Sequence, residues 1–552
     1  MLNNHSPSHN PLVCIYHIPI HQNMSVELVL AVVGLIEGSI KLVRKIKTTC
    51  QTYRSADEHI NERYTRVDFL WTKIETQLKF LRKISDHLTD DLVQSQLDLL
   101  QRLKGKLVQA VSRLEDVNPE SVASKGKTID ILRKWKFALI KSSLDELIAE
   151  LEAWQQRFDP TWYLMILITD KVFDNALLEK KGRGDGVTWS SQEPNPLSTM
   201  LAIRATLKPN ISERNDIHVS LAHNGLKGAK EFTISMTTAR AVLRPGSSQL
   251  LIVELISCPP GTASQVKTDV ENLAKKLQNV DPNTFGLLCC KGILKNHDPG
   301  NKQLSAIEFV YRTPRDSRRP ETLRHHLLRP IPVSLSTVIR IAKQLVRSIH
   351  YVHTCGFVHK NVRPENILIF PSVEDTSLGQ SFLIGFTDFR NANFQTNLYG
   401  DSAWHRNLYR HPQRQGAFVL ERYIMQHDIY SLGVCLLEIG LWRSFVWYPA
   451  EDDNATPVPG WALGFSCSDS DFEAVQATGQ QQIKDQLVAL ARRDLPPRAG
   501  DTYTDIVVAC LTCLDPDNGT FSAKKGLTDE DGITVGVKFV EHILSSIIDI
   551  SV

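Results

Sequence analysis

The chain has 552 residues, 42% of them hydrophobic and 22% charged, which suits two or three soluble globular domains and is too long for one ordinary core. Its 63 basic against 61 acidic residues leave a formal charge of +2, arguing against a dedicated nucleic-acid binder, so any basic patch has to be local. Ten cysteines without regular spacing point to free thiols in a reducing compartment, and no run of 18 apolar residues supplies a constitutive transmembrane helix.

Residues 1–23 are rich in His, Asn and Pro and lack a basic stretch followed by an apolar one. They read as a disordered leader, or as an extension upstream of a start at Met24, and not as a secretory signal. Residues 24–165 read as an all-helical bundle. Its first segment has an apolar run, Leu28–Ile36, followed by Lys41, Arg44, Lys45 and Lys47. Gly34 and Gly38 stand at the G-x-x-x-G spacing that lets helices approach closely in lipid, although Glu37 interrupts the pattern and the run is too short to span a bilayer. Both an ordinary first bundle helix and a membrane-seeking one fit.

Further along, Ile60, Tyr64, Val67, Trp71, Ile74, Leu78 and Leu81 recur at alternating steps of four and three, which puts them on one helical stripe. Val93, Leu97, Leu100, Leu107, Val111 and Leu114 repeat the rhythm, broken by Lys104. A last helix is expected over about Thr128–Phe158, with Leu144, Leu147, Ile148, Leu151 and Trp154 on one face; Asn118-Pro119 and Ser124-Lys-Gly126 supply the breaks. An apolar, glycine-containing first helix, then long amphipathic helices and a tryptophan-bearing one, resembles the HeLo-like domains of filamentous fungi. That resemblance implies a role in incompatibility or cell-death signalling, self-association and contact with a membrane surface.

Residues 166–214 are expected to form a connecting helix and a linker, the latter centred on the polar stretch 181–198. Strand-like runs follow at Ile217–Leu221, Glu231–Met236, Leu250–Ile256, Phe285–Cys290 and Ala306–Tyr311, and beyond about 333 the chain turns helical. The vicinal Cys289-Cys290 pair and Cys510-Leu-Thr-Cys513 lie in apolar runs and read as core, with metal or redox use the alternative for the second.

The sharpest motif is His359-Lys360-Asn361-Val362-Arg363-Pro364-Glu365-Asn366. It is followed at a regular interval by Asp428-Ile-Tyr-Ser-Leu-Gly433 and preceded by an amphipathic helix, Ser336–His353. This order resembles the protein kinase family over about 215–550, with a small lobe at about 215–315 and a large lobe at about 320–550. The fold class implied is α+β multidomain: an all-α bundle followed by a bilobal kinase-like fold. In the family pattern H-R-D-x-K-P-x-N the aspartate accepts the substrate hydroxyl proton and the final Asn holds magnesium. Asn366 and Arg363 match their positions, His359 opens the motif, and Asp428 matches the aspartate that holds the loop backbone. Asn361, however, replaces the base, and an amide has no useful basicity near neutral pH.

Other departures accompany it. No G-x-G-x-x-G stands in 215–250. Aligning Val253-Glu254-Leu255-Ile256 with V-A-I-K puts Ile256 at the phosphate-binding lysine, and Glu271 then loses its partner; Lys291 or Lys267 is the substitute available. At D-F-G two registers stay open. Gly385-Phe386-Thr387 loses the metal ligand, whereas Thr387-Asp388-Phe389-Arg390 keeps it as Asp388. Gln413 replaces the acid of A-P-E.

Loss of the base alone costs on the order of 10²–10⁴ in rate, and the losses compound. The reading is a cytoplasmic signalling pseudokinase, membrane-associated on activation, whose kinase lobe controls the bundle. It needs no cofactor, with weak ATP and magnesium binding held open, and its partners are proteins, itself or a membrane surface, not nucleic acid. The alternative is an atypical active Ser/Thr kinase that uses Asp388.

Overall fold

The computed structural model describes residues 26–551 apart from 55–56, 89, 116–127, 168–170, 180–194, 208–218, 223–224, 279, 315–316, 330, 372–377, 388–389, 392–398, 402, 419–421, 450–455, 464–479 and 522–532. The expected leader, the two breaks after residue 115, most of the 181–198 linker and Asp388 lie outside the described residues.

Four long helices open the structure: α1 (Val26–Arg54), α2 (Glu58–Ile84), α3 (Asp90–Glu115) and α4 (Thr128–Leu164). Asp57 starts α2 by accepting the amides of His59 and Ile60 with its side chain, satisfying donors that a helix start leaves free. The heptad residues of α2 and α3 are all buried, α1 packs on α2 and α3, and α4 covers the same pair. Trp154 fixes α4 on α3 by donating its indole N–H to the Leu99 carbonyl at 2.7 Å.

Lys104, the break in the α3 stripe, lies over Gly38 of α1. A Cβ on that glycine would stand 3.5 Å from Lys104 Cε. Gly34 faces open space and Leu30 is 64% exposed, so of the G-x-x-x-G pair only Gly38 meets a neighbouring helix. Helix α4 continues to Leu164 through Pro160, past its expected end.

The connecting stretch is packed. Helices α5 (Lys171–Glu179) and α6 (Pro196–Leu207) lie on α2, with Phe173 edge-on to Phe80 at 5.4 Å. The buried Arg204 pairs with Asp174, donates to the Ile166 carbonyl at 2.6 Å and sits over the Phe173 ring.

A five-stranded antiparallel sheet follows, in the order β1-β2-β3-β5-β4: β1 (Lys230–Thr233), β2 (Arg240–Leu243), β3 (Leu250–Ser257), β4 (Cys290–His297) and β5 (Leu304–Arg312). Helices α7 (Ala263–Leu277) and α8 (Pro282–Phe285) interrupt it. The run Phe285–Cys290, expected as a strand, is instead the end of α8, a turn and the first residue of β4. Asp281 caps α8, Pro282 suits its first position, and Gly286 ends it at φ +63°, so local start and stop signals override the apolar run.

The large lobe contains β6 (Glu321–Thr322), α9 (Leu323–Leu328), α10 (Leu335–Thr354), β7 (Phe357–Val358), β8 (Ile367–Phe370), β9 (Gln380–Leu383), the short α11 (Trp404–Asn407) and the buried α12 (Met425–Leu441). Helices at Gln480–Asp494 and Asp501–Leu511 and a helical stretch ending at Asp549 complete it. An all-helical region thus precedes a sheet-rich lobe and a helical lobe.

The helical region rests on the rest of the chain. Tyr163 of α4 packs its ring 5.0 Å from Phe285 and 5.7 Å from Tyr351, which are themselves 4.1 Å apart. Beside them His350 Nε2 donates to the Pro160 carbonyl at 2.9 Å, Arg347 donates to Gln156, and Arg157 pairs with Asp549. Helix α6 touches α7 on the sheet side.

Candidate functional site

Helix α10 packs on β9, is capped by Ser334 on the Thr337 amide, and delivers the chain through β7 to the loop His359–Asn366. Asp428, in the first turn of α12, organises that loop from inside. Its Oδ2 accepts the His359 amide at 2.7 Å and lies 3.1 Å from His353 Nε2. Its Oδ1 accepts the Lys360 amide at 2.9 Å and the Tyr423 hydroxyl at 2.7 Å. Burial works to raise this carboxyl, but the His353 hydrogen bond and neighbouring charges hold it below the usual value. With its amide held by Asp428, Lys360 sits at φ +64°, a left-handed conformation uncommon for a residue other than glycine.

His359 is fully buried, packs 4.6 Å from the Phe386 ring and donates from Nε2 to the Ile384 carbonyl at 3.0 Å. Burial pushes it down to about 4, so it is neutral and Nδ1 is free to accept the Asn361 amide.

The Asn361 side chain points at the stretch after β9. Its amide nitrogen donates to the Gly385 carbonyl at 3.3 Å and to Thr387 Oγ1 at 3.2 Å. A carbonyl there requires a donor, which fixes the orientation of the amide. Asn366 donates from its own side chain to the Asn361 carbonyl at 2.7 Å, while its backbone carbonyl accepts Ile384.

Gly385 sits hard against Asn366 at φ +90°. A Cβ at 385 would come within 2.3 Å of Asn366 Cγ and 2.7 Å of its Cβ. Real Cβ atoms do not approach so closely, so position 385 has no room for a carboxylate side chain while Asn366 holds this pose. Asp388 is outside the described residues. Arg363 is half-buried at the loop's edge, its Nε without a hydrogen-bond partner. Below the loop, Glu365 belongs to a buried cluster in which Arg324 binds Glu365, Glu438, Ser444 and Tyr409.

On the small lobe, Ile256 is buried in β3 and Glu271 of α7 pairs with Lys295 of β4 at 2.8 Å, not with Lys291 or Lys267. The β3 side chain that reaches the large lobe is Glu254. Its Oε1 accepts the Gly385 amide at 2.6 Å and its Oε2 the Tyr311 hydroxyl at 2.7 Å. Sequence reasoning missed both Glu254 and Tyr311. The available signal was a lone carboxylate inside the otherwise uncharged strand Leu250–Ser257, a placement that demands partners.

Cys510 and Cys513 are free, buried thiols, and burial raises both; no group of three or more potential metal ligands occurs among the described residues.

Residues 315–459 match the protein kinase domain. Over 138 residues the chain is 28% identical to "Eukaryotic translation initiation factor 2-alpha kinase 1" of Mus musculus, a stretch covering 24% of this chain and 21% of that protein. The protein of the same name in Rattus norvegicus is 27% identical over 139 residues. "Probable serine/threonine-protein kinase fhkB" of Dictyostelium discoideum is 31% identical over 124 residues, 22% of this chain and 10% of that one. The similarity therefore spans about a fifth or less of each relative's length.

Proposed function

We propose, on the premise of that protein kinase match, that the chain is a catalytically defective signalling protein whose kinase lobe governs the N-terminal helical region. One observation carries the reading: the side chain at the base position is the Asn361 amide, spent on donating to Gly385 and Thr387. Its amide oxygen can accept a hydrogen bond but has no useful basicity, so it cannot take the proton of a substrate hydroxyl. Glu254, the carboxylate that reaches this stretch from the small lobe, does not substitute, because it is buried against the Tyr311 hydroxyl and the Gly385 amide and is not open to a substrate hydroxyl.

The regulatory half of the proposal rests on the contact between the two parts, where Tyr163 and Pro160 of α4 meet α10 and α8. Among the described residues no helix is long and apolar enough to cross a membrane. The output we propose is self-association of the helical region, or its attachment to a membrane surface from the cytoplasmic side, in fungal incompatibility or cell-death signalling, as its resemblance to HeLo-like domains implies.

Purified full-length chain, incubated with magnesium, radiolabelled ATP and a generic acceptor protein, is expected to transfer no more phosphate than Asn361→Ala. Asn361→Asp alone is expected not to restore transfer, since Gly385 and Glu254 stay in place. Robust transfer by the wild type, abolished by Asn361→Ala or Asn366→Ala, would establish the active-kinase alternative instead.

A further inference from the structure

We infer that Glu254 stands where the family's phosphate-binding lysine would reach and bolts the two lobes together through Gly385, so that the cleft does not admit a nucleoside triphosphate with its magnesium ion. The inference deepens the reading above and rests on it for the identity of the cleft. The residues present do not fit the group that the kinase fold implies.

Three observations agree. First, strand β3 (Leu250–Ser257) contains no cation, and the side chain it sends across the cleft is a buried carboxylate that already binds Gly385 N–H and the Tyr311 hydroxyl. A triphosphate brought here would meet like charge in a region of low dielectric. Secondly, of the two lysines of β4, Lys295 is paired with Glu271 and Lys291 lies near the cations Arg244 and Arg312. Thirdly, position 385 offers a metal no carboxylate. Asn366 presents its amide N–H to the Asn361 carbonyl, and Gly385 is too close to Asn366 for any carboxylate to grow from it. A magnesium ion prefers several oxygen ligands, and here it would find the single amide oxygen of Asn366 and no carboxylate at 385.

The test titrates the full-length chain with ATP and magnesium at a slightly alkaline pH, read by calorimetry and thermal shift. Wild type is expected to show no saturable binding at millimolar nucleotide. Glu254→Lys supplies the missing cation and withdraws the acceptor from Gly385, so it is expected to bind at least about tenfold more tightly than wild type. Saturable submillimolar binding by the wild type overturns the inference, and so does a folded Glu254→Lys protein that binds no better.

If Glu254→Lys does not fold, Glu254→Ala is read by amide hydrogen exchange. The peptide over 381–387 should exchange about tenfold faster or more, relative to α12, and unchanged exchange overturns the bolt. A wild type that binds nucleotide yet transfers no phosphate sinks this inference alone, whereas Asn361-dependent transfer sinks the proposed function.

Discussion

Burial pushes the Glu254 carboxyl from an ordinary value of 4.5 up to about 7, against the pull of the Tyr311 hydroxyl and the Gly385 amide. In the unfolded chain the same carboxyl ionises near pH 4.5. Between the two values the folded state holds a proton that the unfolded state has lost, so stability falls as pH rises through that window. The swing is on the order of 3 kcal/mol. Glu254→Gln keeps an acceptor for the Gly385 amide and turns an N–H toward the Tyr311 oxygen, but cannot ionise. In urea unfolding, wild type should therefore lose that amount relative to the variant between about pH 5 and pH 8.

His350 and His359 act in the opposite sense. Burial holds both down to about 4, so their contribution is present above pH 6.5 and disappears as pH falls towards 4; it cancels in the comparison. Sequence counting against V-A-I-K lands on Ile256, two residues beyond Glu254 on the same face of β3. The count preserves Val253 but cannot see that the strand's one charge finds its donor on another lobe. Asn361, by contrast, was legible, because identity alone decides whether a side chain can take a proton.

Helices were the most readable elements. The stripes of α2 and α3 are buried residue for residue, because a repeat of that length has one stable outcome, packing on a neighbour. Leu100→Ala in α3, at 0% exposure, should lower the unfolding free energy by about 2–5 kcal/mol. Leu139→Ala, on the exposed side of α4, should change it by no more than about 0.5 kcal/mol in the same denaturation experiment. Short apolar runs were less readable: Phe285–Cys290 has the composition of a strand, yet the Asp-Pro start and the glycine stop cut it into a helix end and a turn. Lys104 looked like a flaw in its stripe until Gly38 supplied the surface for its stem.

For the whole molecule, the order of parts was legible and their docking was not. Aromatic residues far apart in sequence, Tyr163, Phe285 and Tyr351, meet only in space. Tyr163→Ala should remove about 3–5 kcal/mol from the contact between helical region and kinase-like part. Hydrogen exchange should then quicken in α10 and the end of α4, with the α1–α3 amides little changed; unaltered exchange in α10 would show that other residues hold the parts together.

One helical turn separates the histidine that grips Pro160 from the histidine that leans on Asp428. Asp428 in turn tethers the loop at His359 and Lys360. Because both contacts stand on one helix, a rotation of α10 large enough to break the hold on Pro160 would also move His353 against that aspartate, tying the docking of α4 to the set of the loop at His359 and Lys360.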